Sequence, residues 1–209
     1  MLLLVRHGQS EANLAGLLLG RLDSPLTEVG RHQAKLLGEV FAARPTVLHR
    51  LVTSPLLRAR QTSDAIAEAL AGGGRAGERV EATVDERFVE LDYGELDGRA
   101  PGDLEAGLWD GWRSDPSWRP PGGETLEEVS ARVATACAEL ASEAANHDVV
   151  IVSHVSPIKA AVSWALGGGP ELSWRLSLGV ASISRISTGP GGPALVSFNE
   201  TAHLGGAPR

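Results

Sequence analysis

The sequence predicts a three-layer α/β/α sandwich with a mostly parallel central sheet, and three observations lead there. Short apolar runs such as Leu2–Val5 and Val149–Val152 stop abruptly at polar residues, as strands covered on both faces do. Stretches with helical spacing of apolar residues lie between such runs, beginning with Thr27–Ala43. The two patterns alternate along the chain, and alternation of this kind builds parallel sheets flanked by helices.

The elements follow in order. Leu2–Val5 is a strand closed off by Arg6-His7-Gly8. Thr27–Ala43 carries Val29, Ala34, Leu37, Val40 and Phe41 on one helical face and ends at Arg44-Pro45. Thr46–Thr53 is a second strand. Ser54-Pro55 is a helix start, with Ser as N-cap and Pro in the first turn of a helix reaching about Leu70. A third strand, Val80–Val84, follows a glycine-rich connection. From Phe88 to Gly123 the pattern loosens, and Tyr93, Trp109, Trp112 and Trp118 stand among Gly, Pro and acidic residues. This segment, about 88–123, reads as a cap-like excursion over a site, with packing as the competing role of each Trp. Thr125-Leu-Glu-Glu128 is a capping-box pattern opening a helix to about Ala145. Asp148–Val152 is a strand stopped by Ser153-His154, and Pro157–Leu166 is a helix ended by three glycines. Ala181–Ser187 and Ala194–Phe198 are closing strands around a Gly-Pro turn, and the tail beyond Leu204 is expected to fray.

Composition narrows the class. The 209 residues are 43% hydrophobic and 22% charged, which suits one globular domain over 1–209 with a real core. Apolar stretches such as Met1–Val5 fall far short of a membrane span of ~20 residues. Met1–Val5 also lacks the flanks of a signal peptide. The single Cys137 excludes an internal disulfide and fits a cytoplasmic protein. A net charge of −7 argues against nucleic acid held by bulk positive charge. Anion binding is then expected only where a few cations are focused into one pocket.

Some features carry no chemistry. Gly72–Gly77 has the spacing of a dinucleotide-binding motif, but it follows a helix and precedes a strand, the reverse of what phosphate binding at a helix start requires. His32, His49, His147 and His203 have no partner nearby in sequence, and Cys137 sits mid-helix among small residues as a packing residue.

Three other stretches converge. The first strand delivers Arg6-His7 at its carboxyl end, and the strand before Ser153 delivers His154 at its own. Open parallel sheets bind ligands at that edge, so both imidazoles face one crevice if the strands are neighbours. Arg58, in the first turn of the helix after Ser54-Pro55, adds a second guanidinium. Two His, two Arg and a helix start suit a phosphoryl dianion.

These residues also carry a resemblance. Arg6-His7-Gly8-Gln9-Ser10-Glu11-Ala12-Asn13 resembles the opening signature of the histidine phosphatase superfamily, also called phosphoglycerate mutase-like. The similarity continues through Gly20–Thr27, Ser54–Thr62, Glu90-Leu91-Asp92-Tyr93-Gly94, Pro121–Thr125 and Val152-Ser153-His154, in family order over nearly the whole chain. The resemblance implies that His7 is the nucleophile and becomes a phosphohistidine. Arg6, Arg58 and His154 hold the phosphate oxygens, Ser10 and Asn13 line the phosphate pocket, and Glu90 gives a proton to the leaving oxygen and then helps activate water. It implies no metal and no organic cofactor. The partner expected is a small phosphorylated substrate, without nucleic acid or membrane, and a homodimer is left open.

The chemistry is coherent. An attacking imidazole must be unprotonated, and flanking Arg6 and Arg58 disfavour its cationic form. The same guanidiniums favour the equatorial oxygens of the transferring group. Glu90 has to be protonated in one step and ionised in the next, with Asp92 and Glu95 as neighbouring carboxylates. Two departures stand out. His154 is followed by Val155-Ser156-Pro157 where the family commonly has glycine, and the frequent Trp-Glu-Gly of the glutamate block is Leu96-Asp97-Gly98. Mutases of the family usually carry an Arg after the glutamate and a Lys further on. Here Leu91 takes the first place, and no Lys lies between Lys35 and Lys159. That favours a phosphomonoesterase over a phosphoglycerate mutase-type transferase or a non-catalytic phosphate-binding regulator. The run from His154 to Lys159 most resembles the acid phosphatase branch.

Overall fold

A computed structural model describes residues 1–44, 46, 48–72, 80–105 and 107–205. Six strands form one sheet: β1 (Leu2–Arg6), β2 (Leu48–Thr53), β3 (Ala82–Val84), β4 (Asp148–Ser153), β5 (Ile183–Gly189) and β6 (Gly192–Glu200). Their order is β3-β2-β4-β1-β5-β6. β1 runs parallel to β4, and β2 runs parallel to both β4 and β3, whereas β5 and β6 extend the sheet antiparallel. The mostly parallel sandwich expected from the sequence is therefore the observed fold.

Strand alternation assigns the layers. Leu3, Val5, Leu51, Val150 and Val152 pack with Leu37 and Phe41 of helix α2 (Glu28–Ala42) and Ala59 and Ile66 of helix α3 (Leu57–Gly72). Leu2, Leu4, Val52, Val149 and Ile151 face the other way. They meet Val129, Val133 and Leu140 of helix α5 (Leu126–Ala144) and Ile158 and Val162 of helix α6 (Val155–Ala165). Burial on both faces is the reason these strands read as continuous apolar runs. Two short helices complete the set, α1 (Glu11–Leu14) and α4 (Leu108–Ser114).

The capping box read at Thr125 is present on α5, and α2 has a cap as well. Thr27 Oγ1 accepts the Gly30 N–H at 3.0 Å, and Thr125 and Glu128 cap each other reciprocally. Two helix starts differ from expectation. α3 begins at Leu57 because Ser54 Oγ is drawn 2.6 Å from His154 Nε2, while the Leu57 N–H is taken by Asp23 at 2.7 Å. α6 begins at Val155, ahead of Pro157, which sits in the first turn where no N–H partner is needed. β3 and β5 start later than predicted; Ala181 adopts a φ of 52° and lies outside the strand. The segment 88–123 is not only an excursion: Phe88, Leu91 and Trp112 are fully buried in the core beside α5. The Gly73–Gly77 part of the glycine run, Pro45 and the tail from 206 lie outside the described residues. Among the described residues no helix is long and apolar enough to cross a membrane.

Candidate active site

The register of β1 against β4 places Arg6 opposite Ser153, and the His7 N–H bonds the Ser153 carbonyl at 3.1 Å. The two strands therefore release His7 and His154 side by side, with ring centroids 5.0 Å apart and planes inclined by 57°. The loop leaving His7 is held tightly against α2. A Cβ on Gly8 would meet the Gly30 carbonyl oxygen at 2.5 Å, and one on Gly30 would meet the Gln9 oxygen at 2.0 Å. Only two glycines permit that approach.

Arg58, the second residue of α3, is fully buried between the two imidazoles. Its Nε lies 3.3 Å from His7 Nε2 and 3.2 Å from His154 Nδ1. A guanidinium can only donate, so both ring nitrogens are acceptors. The tautomers follow from this hydrogen-bond pattern. His7 donates its Nδ1 proton to the Gly8 carbonyl at 2.7 Å and keeps a lone pair on Nε2. His154 donates from Nε2 to Ser54 Oγ. Burial, then Arg58, then Arg6, hold His7 well below the ordinary histidine range. His154 is lowered in the same way, by burial and then by Arg58, His7 and Arg6.

The remaining Arg58 donors are fixed by carbonyls, Nη1 to Leu22 at 3.0 Å and Nη2 to Gly20 at 2.7 Å. Arg6 donates from Nη1 to the Leu178 carbonyl at 2.6 Å, and its Nε is buried without a partner among the described residues. Burial and then Arg58 lower its pKa to about 10, against the opposing pull of Glu90. It remains a cation at neutral pH.

Glu90 is 3% exposed, and backbone N–H groups hold its carboxylate. Oε2 accepts the Val155 N–H at 3.0 Å, and Oε1 accepts those of Ser156 at 3.1 Å and Leu91 at 2.8 Å. The start of α6 thus fixes this carboxylate, and the Val155 N–H is committed to it. Asp92 Oδ1 caps the Gly94 N–H at 2.8 Å.

Ser10 and Asn13 form the reciprocal cap of α1, Ser10 Oγ accepting the Asn13 N–H and Asn13 Oδ1 accepting the Ser10 N–H. Asn13 and Arg6 line a common cavity of about 440 Å³. The Ser10 hydroxyl is engaged in the cap. Direct contacts thus join His7, Arg58 and His154, and Glu90 is tied to them through the first turn of α6.

Sequence reasoning passed over three residues at this centre. The sequence assigns Ser54 a cap and a place in a family block but no role for its hydroxyl at the site. Asp97 accepts the N–H of Gly20 with Oδ1 and of Leu22 with Oδ2, both at 2.7 Å, and so braces the two carbonyls that hold Arg58. Lys159 lines a second cavity beside Glu90, together with Val155 and Ser156. The Leu96-Asp97-Gly98 departure was the one signal available for Asp97.

A model of the histidine phosphatase superfamily (branch 1) matches residues 2–201. Curated proteins of Mycobacterium bovis and Mycobacterium tuberculosis are 33% identical over 207 residues, covering 97% of this chain. The chain spans about half of their length, 54%. A glucosyl-3-phosphoglycerate phosphatase of Mycolicibacterium vanbaalenii is 35% identical over 200 residues, covering 88% of this chain and 82% of that one. A Klebsiella pneumoniae protein named a probable phosphoglycerate mutase is 35% identical over 188 residues, with coverage of 88% and 82%. The solved phosphoserine phosphatase of Entamoeba histolytica superposes with a TM-score of 0.84 at 28% identity, covering 97% of this chain and 98% of that one. With its family order of blocks folded into paired imidazoles at one sheet edge, the chain belongs to the histidine phosphatase superfamily.

Proposed function

We propose that the protein is a phosphomonoesterase that hydrolyses small phosphorylated metabolites through a phosphohistidine on His7. The observation that carries this reading is the His7 ring, whose Nδ1 proton is committed to the Gly8 carbonyl and whose unprotonated Nε2 accepts from Arg58 Nε. The lone pair attacks phosphorus, the bond to the leaving oxygen breaks, and that oxygen takes a proton from Glu90. Water then attacks the phosphohistidine, gives its proton to Glu90 and releases phosphate. Arg6, Arg58 and His154 bear on the non-bridging oxygens throughout, where positioned charge supplies most of the catalysis. Asn13 adds its amide from the Arg6 side, and Ser10 acts by holding Asn13.

The relatives named as phosphatases of glucosyl-3-phosphoglycerate and phosphoserine support a small metabolite as substrate. The segment 88–123 is the cap over it. A cytoplasmic setting belongs to the same reading, supported by the single, buried and unpaired Cys137.

The test is phosphate release from a panel of phosphorylated hydroxy acids, sugars and aryl phosphates with excess chelator present. Turnover is expected on several members, and His7→Ala is expected to lower kcat/KM by about 10³-fold or more. Residual activity within about tenfold of the unsubstituted enzyme would reject His7 as nucleophile. Isomerised phosphoester without phosphate release would instead identify a mutase.

A further inference from the structure

Arg58, His154 and Ser54 form a hydrogen-bond chain that is one acceptor short. Arg58 Nε carries a single N–H, shared between His7 Nε2 at 3.3 Å and His154 Nδ1 at 3.2 Å. Because a guanidinium only donates, His154 keeps its proton on Nε2, 2.6 Å from Ser54 Oγ. Ser54 is fully buried, and its Oγ also accepts the Leu56 N–H at 3.4 Å. Among the described residues the one acceptor within reach of the Ser54 hydroxyl proton is His154 Nε2, which is itself protonated. A buried donor left unpaired is costly. Reversing the chain, with Ser54 donating to Nε2, would satisfy the hydroxyl but would set an Nδ1–H against the Arg58 N–H. Neither tautomer of His154 satisfies both neighbours.

A phosphoryl group resolves the conflict. Attack by His7 Nε2 requires Arg58 to release that lone pair, and a phosphoryl oxygen is the acceptor to which the N–H passes. The same transfer frees His154 Nδ1, which then faces an oxygen that has only lone pairs to offer. Nδ1 binds that oxygen only as an N–H donor. With the proton on Nδ1, Nε2 becomes an acceptor, and the Ser54 hydroxyl rotates to donate to it across the same 2.6 Å. Every donor in the chain then has an acceptor.

We infer that His154 exchanges tautomers when the phosphoryl group binds, and that Ser54 is the positioning residue whose hydroxyl reverses direction to hold the new tautomer. One proton leaves Nε2 for water and one from water joins Nδ1, so the ring stays neutral and no net proton is taken up. Burial favours a neutral ring over an imidazolium. So do the groups that face it, Arg58 of α3, His7 and Arg6 at the end of β1 and Arg132 of α5, none of them anionic. The inference rests on the phosphatase reading and concerns the hold on the phosphoryl group, whatever alcohol carries it.

The experiment titrates the protein, ¹⁵N-labelled in its histidine side chains, with sulfate, a dianion shaped like the phosphoryl group that does not itself titrate near neutral pH. Ring nitrogen shifts distinguish the two tautomers from each other and from the imidazolium. The proton of His154 is expected on Nε2 before sulfate is added and on Nδ1 at saturation, while His7 keeps its Nδ1 proton throughout. Ser54→Ala removes the reversible donor and is expected to raise the inhibition constant of sulfate by about tenfold. A His154 that retains only its Nε2 proton under saturating sulfate, or that becomes doubly protonated, overturns the inference and leaves the phosphatase reading standing. So does a Ser54→Ala inhibition constant within about twofold of the unsubstituted one. If neither sulfate nor inorganic phosphate moves any His7 or His154 signal, the anion site itself is overturned, and the inference with it.

Discussion

At the scale of single residues, the account turns on which ring nitrogen of His7 carries the proton. The Gly8 carbonyl holds Nδ1–H, and burial with Arg58 and Arg6 keeps the ring neutral, so Nε2 remains nucleophilic well into mild acid. His154 is held neutral alongside it. The linkage to stability has a definite sign. The unfolded chain takes up protons on these rings below pH 6.5, while the folded chain does not. Unfolding free energy is therefore full above that pH and is lost as pH falls from there towards the depressed folded values, by up to about 2.7 kcal/mol per pH unit for the pair. Urea unfolding between pH 7.5 and 5 measures this slope, and His7→Gln is expected to flatten it; an equal slope in both proteins contradicts the assignment. Glu90 invites a different test. Glu90→Gln is expected to lower kcat/KM by about 10²-fold or more on alkyl phosphates and far less on 4-nitrophenyl phosphate, whose leaving group needs little proton donation. Equal losses on both would remove its role as acid. Arg6, His7, Arg58, Glu90 and His154 were legible because each sits in a local pattern, a strand end, a helix start or a family block. Ser54 and Asp97 were not, since their roles depend on hydrogen bonds to groups 100 and about 75 residues away.

At the scale of elements, the active arrangement is a consequence of β1 and β4 ending together and of α3 and α6 starting there. Arg58 gains its fixed direction from a loop rather than from its own helix. Asp97 grips the N–H groups of Gly20 and Leu22, and the carbonyls of those same residues grip Arg58. Asp97 is thus a positioning residue. Asp97→Ala removes two charge-assisted hydrogen bonds of about 1.5–3 kcal/mol each, part of which the loop recovers by rearranging. We expect kcat to fall by about 10–100-fold with a smaller change in KM, and Asp97→Glu to restore most of it. A loss confined to thermal stability, with kcat unchanged, would show that the loop does not align Arg58. Helix and strand identities were readable from spacing, but the starts of α3 and α6 were each displaced by two residues. In both cases a distant partner, Asp23 or Glu90, took the first N–H groups and reset the boundary.

At the scale of the whole molecule, a chain of net charge −7 forms its anion site by gathering a few cations at one edge of the sheet. Arg6 and Arg58 are separated by 52 positions in sequence, yet they flank the same imidazole. Parallel topology does this: alternating strands and helices return every second element to the same edge. That much was visible in the alternation, as was the closing hairpin of β5 and β6. The dual use of the 88–123 segment was not, because a Trp that fills the core and a Trp that lines a cavity look alike in sequence. Trp112 does both. The most direct measurement is to quench the enzyme in alkaline denaturant during turnover of a ³²P-labelled substrate and locate the label. The account predicts an acid-labile, base-stable phosphoryl group on the peptide that contains His7, absent from His7→Ala. Steady turnover with no labelled protein, or label on any other residue, would contradict it.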